Sequence, residues 1–500
     1  MGELTVWQKC FNTLQITNYY TQPPLGLKWR SNTIFILLTI GIALFTDLFL
    51  YGLLVPILPF LLESRVGVPP DQVQSYTSGL LAAYAGASVC SSPVAGVLAD
   101  KVSTRQSPFL LGLAVLLGAT ILLFLGETVP VLVIARVLQG VSSGVVWTIG
   151  LALCIETVGP ANLGKTVGTL FSFLSAGAIW APMIGGLLWE KAGYLGVLGV
   201  SLAVLMVDFL LRSLVIEKKV AYRYETQDPT SEWTPGTTPD DDDDDTEQQN
   251  GTEEDGEQQP LLQKNKAEEA ELYRLPAEKS RIARVAPIIP CLANPALLTS
   301  LWLALIQAML LGSCDATVTT HSRELFGFDS LKAGLMFLPL GLVDLIGSPL
   351  AGWIVDRSGT KWVSVITFIY LVPVLVLLRL PHEGGLHQIL LYGGLLGLLG
   401  IGLSGTGAPG IVEAGSVVEK FHEHNKDFFG QSGPYAQLYG LNSMMFNLGL
   451  TIGPELAGEL KERIGYGNMN IVLAVICGIT AVLCFLFIGG KPRMPWRKDR

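Results

Sequence analysis

Asp47 sits at the midpoint of an apolar run, Ile34 to Phe60, that is 27 residues long and holds no other charge. A bilayer core about 30 Å thick needs roughly 20 apolar residues as helix, so this run can span. A carboxylate at the centre of a span costs roughly 2.5–3.5 kcal/mol on insertion scales, so it must face protein or water. Two readings follow: a polar residue that ties helices together, or a proton or cation site on a transport path. Arg136, inside another apolar run, needs a carboxylate or carbonyl partner for the same reason. Asp344 is a further carboxylate in mid-span, either a substrate or proton group or the partner of a buried donor. Asp208 and Arg212, four residues apart, read as a pair on one helix surface.

Catalytic chemistry finds little support. The five histidines fall in loops or near span ends, and the seven cysteines are scattered without a CxxC pair. No GxxxxGK[ST] loop is present to bind ATP phosphates. No nucleophile has an evident base, so no enzyme, cofactor, metal or nucleic-acid partner is expected.

Half of the 500 residues are hydrophobic, only 15% are charged and mean hydropathy is +0.47, where a soluble chain would carry about a quarter charged. Fifty-five glycines suit a membrane bundle in which helices approach closely. After 34–60, apolar segments run near 76–98, 108–126, 130–154, 166–189 and 194–216. Six more lie near 296–320, 333–355, 362–380, 388–416, 435–458 and 468–490. The expected fold is an all-α membrane protein of twelve transmembrane helices in two pseudo-symmetric six-helix bundles. The organisation expected is a segment 1–33, a bundle 34–216, a linker 217–290, a bundle 291–490 and a tail 491–500.

The linker contains the run Asp240–Asp245 and hardly any apolar residue, which predicts disorder. It also accounts for the net charge of −9. Within it Glu257, Leu261 and Leu262 match an acidic dileucine sorting pattern, the chemistry a sorting adaptor would read. Short segments on the side of the termini carry fifteen Lys and Arg against seven on the other side. The positive-inside rule therefore predicts both termini and the linker in the cytosol.

The halves repeat each other. Ser92-Pro-Val-Ala-Gly96 to Asp100 recurs 256 positions later as Ser348-Pro-Leu-Ala-Gly352 to Asp356. Ala181-Pro182, Gly186 and Tyr194 recur 272 positions later as Gly453-Pro454, Gly458 and Tyr466. A duplicated unit of this kind places a binding site between its halves near the midplane, the depth of Asp47.

These motifs resemble the major facilitator superfamily over nearly the whole chain. Gly96-Val-Leu-Ala-Asp100-Lys-Val-Ser-Thr-Arg105 is similar to its loop signature, with Ser103 and Thr104 as departures, and Arg357 follows the repeated Asp356. Arg136-Val-Leu-Gln139-Gly140 is similar to the RxxQG element tied to proton transfer. Gly177-Ala-Ile-Trp180-Ala181-Pro182-Met-Ile-Gly185-Gly186 is similar to the GxxxGPxxGG antiporter motif, with Ala181 in place of one glycine. The nearest resemblance is to drug:proton antiporters, among them the vesicular amine transporters. Asp47 to Pro59 resembles their first span, and Asp315 and Glu413 fall where they carry acidic residues in spans seven and ten. Tyr84 stands where they have lysine and Ser443 where they have aspartate, so their ion-pair arrangement is incomplete and a monoamine substrate is not expected.

The resemblance implies a monomeric proton-coupled antiporter that exports a small amphipathic or cationic organic compound by alternating access. Asp47, Asp315, Glu413, Asp344 and Arg136 are its expected coupling and substrate groups. Tyr51, Tyr84, Gln139, Trp147, Trp180, Ser443 and Asn447 are candidates to line the cavity. A proton and a cation competing for one carboxylate is a sufficient antiport mechanism. Two other readings compete: facilitated diffusion or uptake of a metabolite, and a transporter-like receptor or scaffold acting through 217–290. The plasma membrane or a vacuolar or vesicular membrane is the expected location.

Overall fold

The computed structural model describes residue 24 and 26–54, 57–102, 104–159, 162–225, 273–275, 286–328, 330–429 and 433–489. Its elements are helical throughout. In the first half α1 is Thr33–Leu54, α2 Pro70–Lys101, α3 Gln106–Leu125, α4 Val129–Val158 and α5 Leu163–Leu214. In the second half α6 is Pro295–Phe326, α7 Phe337–Ser358, α8 Thr360–Leu377, α9 Leu386–Ser404, α10 Gly407–His424, α11 Tyr435–Ile464 and α12 Tyr466–Phe487.

Helix is what such sequences must form in lipid, where each backbone N–H and C=O needs a partner inside its own segment. Proline opens α2 and α6 at the first turn, where its missing N–H costs nothing. Asn294 caps α6 by accepting the Ala296 N–H at 2.9 Å. Large apolar side chains such as Leu111, Leu210, Ile346, Ile366, Leu390 and Val482 remain exposed, the outer surface of a protein solvated by lipid tails.

Ten helices among the described residues are long and apolar enough to cross a membrane, against twelve spans expected. The difference has two sources. α5 has 52 residues, far longer than one crossing, and it breaks at Gly193. The backbone there turns through φ 60°, a value that glycine adopts without strain, so α5 is two crossings joined by a kink. α11, at 30 residues, is long enough but too polar to count, because it carries Gln437, Asn442, Ser443 and Asn447 buried inside the protein. One crossing near 388–416 is split at Gly405 into α9 and α10.

The two halves meet along two seams, α2 against α11 and the first arm of α5 against α7. Both begin at the face that carries the helix ends nearest the chain termini, called here the terminal face. A Cβ on Gly96 would come 2.5 Å from the Ala436 carbonyl, and one on Gly440 would come 2.6 Å from that of Ser92. In the other seam Gly164 and Gly168 press against Gly352 and Ser348. Only glycine lets backbones approach this closely.

Parts of the expected linker are ordered. Ile216, Val220 and Ala221 bury a small apolar face, with Leu27 packed against it, and this holds a helix over Lys218–Glu225. Tyr273 is 4% exposed and packs edge-on against Phe421 at 5.0 Å. Asn425 clamps the backbone beside it, donating to the Tyr273 carbonyl and accepting the Leu275 N–H, both at 2.8 Å. Asp240–Asp245, Glu257, Leu261 and Leu262 lie outside the described residues.

Candidate functional site

Asp47 lies in α1 with 5% of its surface exposed. Its Oδ2 accepts three hydrogen bonds: from Ser143 Oγ at 2.7 Å, Trp147 Nε1 at 3.0 Å and Tyr84 Oη at 3.4 Å. Ser143 and Trp147 are four apart on α4, so the helical repeat aims both at one carboxylate. In hydrocarbon these donors replace the water the group has lost. The indole of Trp147 also stacks on Phe446 of α11 at 5.1 Å, which joins the Asp47 cluster to the opposite half.

Arg136 lies on α4 two turns from Ser143 and is 1% exposed. Its Nη1 donates to Gln139 Oε1 at 3.0 Å, and its Nε donates to the Leu80 carbonyl at 3.4 Å. Gln139 in turn donates to Thr120 Oγ1 at 3.2 Å. The guanidinium lies 4.9 Å from the Tyr84 ring and 5.8 Å from that of Tyr51, with the two rings 5.1 Å apart. The arginine therefore takes a carbonyl and an amide as direct partners, and Tyr84 links it to Asp47.

Asp315 differs from Asp47. It is exposed although it stands in the middle of α6, and no hydrogen bond holds its carboxylate among the described residues. The Tyr51 phenol is within electrostatic reach of both Asp315 and Arg136. Tyr51, Tyr84, Arg136 and Asp47 thus form one cluster of polar groups, with Asp315 of the other half in electrostatic reach of Tyr51.

The remaining candidates lie elsewhere. Asp344 is in the α5–α7 seam, where it accepts from Ser175 of the first half and from Ser348 at 3.0 Å. Ser443 is fully buried in the other seam with its Oγ 3.0 Å from that of Ser92, and Asn447 donates to the Ser443 carbonyl at 2.8 Å. Both are packing groups here, because the halves are closed upon them. Trp180 is 44% exposed. Glu413, expected among the coupling groups with Asp47 and Asp315, sits at the terminal face. There it accepts the Thr360 hydroxyl at the start of α8 and the Gly489 N–H, at 3.0 Å, beyond α12.

The antiporter-type motif packs α5 onto the helix that carries Asp47. A Cβ on Gly177 would meet the Phe45 carbonyl at 2.9 Å, and one on Gly185 that of Leu53 at 2.7 Å. Gly186 meets nothing within 4 Å, and the Pro182 side chain lies outside the described set.

The terminal face holds the loop motif. Asp100 accepts the Ala436 and Gln437 N–H groups at 3.1 and 3.0 Å, and Asp356 accepts those of Gly164 and Lys165 at 2.8 and 2.7 Å. Arg105 bridges Asp100 at 3.0 Å and Glu156 at 2.7 Å, while Glu217 accepts the Arg105 and Gln106 N–H groups at 2.5 and 2.9 Å. Burial alone would make the Arg105 guanidinium easier to deprotonate, but Glu156, Asp100 and Glu217 outweigh it and hold it above its ordinary range. Arg357, in the repeated motif, lies over the Trp353 ring at 4.2 Å instead. Sequence reasoning had not picked out Glu156. It stands 257 residues before Glu413, one off the 256-residue offset of the loop motifs, and each carboxylate reaches the segment that follows its half's loop aspartate, so the two are near-counterparts in the repeat.

Comparison with known proteins agrees with this architecture. The model of the Major Facilitator Superfamily matches residues 40–424. The MFS-type transporter ppzB of Metarhizium rileyi is 40% identical over 477 residues, spanning 93% of this chain and 97% of that protein. The uncharacterized MFS-type transporter C18.02 of Schizosaccharomyces pombe is 37% identical over 462 residues, 92% and 95% of the two chains. The vesicular acetylcholine transporter of Drosophila melanogaster is 31% identical over 182 residues, about a third of each chain. Among solved structures, the human organic anion transporter MFSD10 (TETRAN) superposes with a TM-score of 0.63 at 16% identity, over 93% of this chain and all of that one, a likeness of fold. With its internal repeat, its paired seams and its capped loop motif, this multi-pass membrane protein belongs to the major facilitator superfamily.

Proposed function

We propose that the protein is a proton-coupled antiporter that exports a small cationic or amphipathic organic compound. The observation that carries this reading is the contrast between two carboxylates in the middle of α1 and α6. Asp47 is satisfied by three donors, whereas Asp315 stands exposed with no hydrogen-bond partner among the described residues. Asp315 is then the anchor for a cationic group, with Tyr51 in electrostatic reach of it and the Tyr84 ring 5.1 Å from that of Tyr51. Asp47, linked to Arg136 through Tyr84, is the proton group. A carboxylate out of water passes between charged and neutral forms at a cost set by its donors, so proton and substrate compete across these groups.

The conformation is sealed at the terminal face while Asp315 is exposed, which fits a carrier open toward the opposite face. With termini and linker in the cytosol, as the Lys and Arg distribution implies, that state faces outside or into a lumen. Partial likeness to vesicular acetylcholine transporters supports a cationic substrate class. A plasma, vacuolar or vesicular membrane, a single working copy, and an adaptor contact at Glu257, Leu261 and Leu262 complete the reading.

The test is flux of organic cations and neutral xenobiotics through purified protein in liposomes under an imposed pH gradient. Gradient-driven flux that Asp47→Asn abolishes and Asp315→Asn weakens selectively for cations is expected. Equal flux with and without the gradient would replace antiport with facilitated diffusion. Flux that both variants leave untouched would remove these residues from the mechanism.

A further inference from the structure

The two seams correspond residue by residue. Ser92 faces Gly440 as Ser348 faces Gly168, and Gly96 faces Ala436 as Gly352 faces Gly164. The offsets relating them are the 256 and 272 residues of the sequence repeat. One to two turns further from the terminal face, the same offsets pair Ser88 with Asp344 and Ser175 with Asn447.

At that level the chemistry diverges. In the α5–α7 seam the Ser175 hydroxyl of one half donates to Asp344 of the other, and Ser348 donates to its second oxygen at 3.0 Å. In the α2–α11 seam the Ser88 hydroxyl has no partner among the described residues. The Asn447 amide turns back to its own helix, to the Ser443 carbonyl at 2.8 Å. One seam is bridged by a titratable group where the other has a neutral pair that makes no bridge. Around Asp344 the facing groups are hydroxyls: Ser175 from α5 and Ser348 from α7, with Ser404 of α9 lying against the neighbouring Gly347. No charged side chain among the described residues acts on it.

We propose that Asp344 is a proton-responsive clasp within the α5–α7 seam, which must part when the terminal face opens. It holds Ser175 of the opposite half while the halves are together, and it exchanges a proton with the water that reaches it when they part. The proton moves between a carboxyl oxygen and that water, and nothing else is consumed. In the closed seam two hydroxyls solvate the carboxyl, whereas in the open one Ser175 is gone and water replaces it. A group with such different surroundings binds protons differently in the two states, so the closed-to-open ratio must depend on pH. This deepens the antiport reading by giving the seam its own titratable group, separate from Asp47 and Asp315.

The test measures the seam directly, without substrate. Spin labels at Lys165→Cys and Arg357→Cys, exposed positions on the two sides of this seam, report its opening by pulsed distance measurement. The full chain is used in lipid nanodiscs with the exposed Cys90 replaced by serine. From about pH 5.5 to about pH 8.5 the closed-to-open ratio is expected to change by about threefold or more. Asp344→Ser, the residue of the other seam, and the isosteric Asp344→Asn should both flatten that response. Ser175→Ala keeps the carboxyl and should shift the ratio toward open while retaining a pH response. A pH response surviving in both Asp344 variants, a flat response in the parent, or no shift with Ser175→Ala would each overturn the proposal. The antiport reading fails on different evidence: proton-independent flux would end it, while a pH-responsive seam that depends on Asp344 would leave the clasp standing.

Discussion

Asp100 and Asp356, 256 residues apart, each cap a helix that belongs to the other half of the molecule. Asp100 receives two N–H groups at the start of α11, and Asp356 receives two at the start of α5. A carboxylate at a helix N-terminus gains both the hydrogen bonds and the attraction of the helix dipole, about 1 kcal/mol or more in all. The seal at the terminal face is thus fastened twice by the same device, and opening that face must break both.

Asp100→Asn and Asp356→Asn should each shift the carrier toward states open at the terminal face. At about 1 kcal/mol per cap the shift is about fivefold. The double variant should add the two effects, since the caps share no partner. Cysteine accessibility at the α5 and α11 starts measures it, and unchanged accessibility in all three variants would contradict the capping role.

Gly440→Ala should block closure, because its Cβ would come 2.6 Å from the Ser92 carbonyl. Overpacking of this kind costs about 1–3 kcal/mol, so turnover should fall by about tenfold or more with the protein still inserted. Gly86→Ala is the matched control, because a Cβ there meets nothing within 4 Å. Equal turnover in the two variants would show that the seam tolerates wider spacing.

Glu156→Gln should destabilise more than Glu413→Gln, although the two are near-counterparts in the repeat. Glu156 neutralises the buried Arg105, and removing one partner of such a pair costs about 3–5 kcal/mol, less what Asp100 still supplies. Among the described residues Glu413 accepts from neutral groups, Thr360 and Gly489. Thermal unfolding in detergent compares them, and an equal loss would mean that the Arg105 pairing adds nothing.

Trp147→Phe keeps a ring to stack on Phe446 but removes the indole N–H from Asp47. A hydrogen bond to a charged group is worth about 1.5–3 kcal/mol, which predicts a tenfold or greater change in proton-driven flux. Trp147→Ala, which also loses the stack, should impair gradient-independent exchange too. Unchanged proton-driven flux in Trp147→Phe would separate the indole N–H from coupling.

Much of the fold was legible because lipid leaves few choices. Apolar length marks the spans, and the repeat marks the halves. α11 was the exception to hydropathy, since a helix buried between halves can carry Gln437, Asn442 and Asn447 inward. Asp47 was legible as a lone charge in an apolar run. Its donors Ser143 and Trp147 were not legible as a set, because only the crossing of α1 and α4 brings them to one oxygen. Ser443 and Asn447 were expected at the cavity and lie in a seam, a matter of which face is closed. Glu413 was placed by resemblance to span ten of amine transporters, whereas the internal repeat sets it opposite Glu156, at the edge of the molecule.

The clamp of Asn425 on the Tyr273–Leu275 backbone has a mechanical consequence. The chain between the halves is pinned near Glu225 on one side and at Tyr273 on the other, with 47 residues between those anchors. A chain of that length reaches at most about 160 Å, well beyond any displacement needed to rock two bundles apart. By contour length alone it therefore sets no limit on the stroke, while covalent continuity holds the two bundles together, so that reassembly of the pair never depends on a diffusive encounter in the membrane plane.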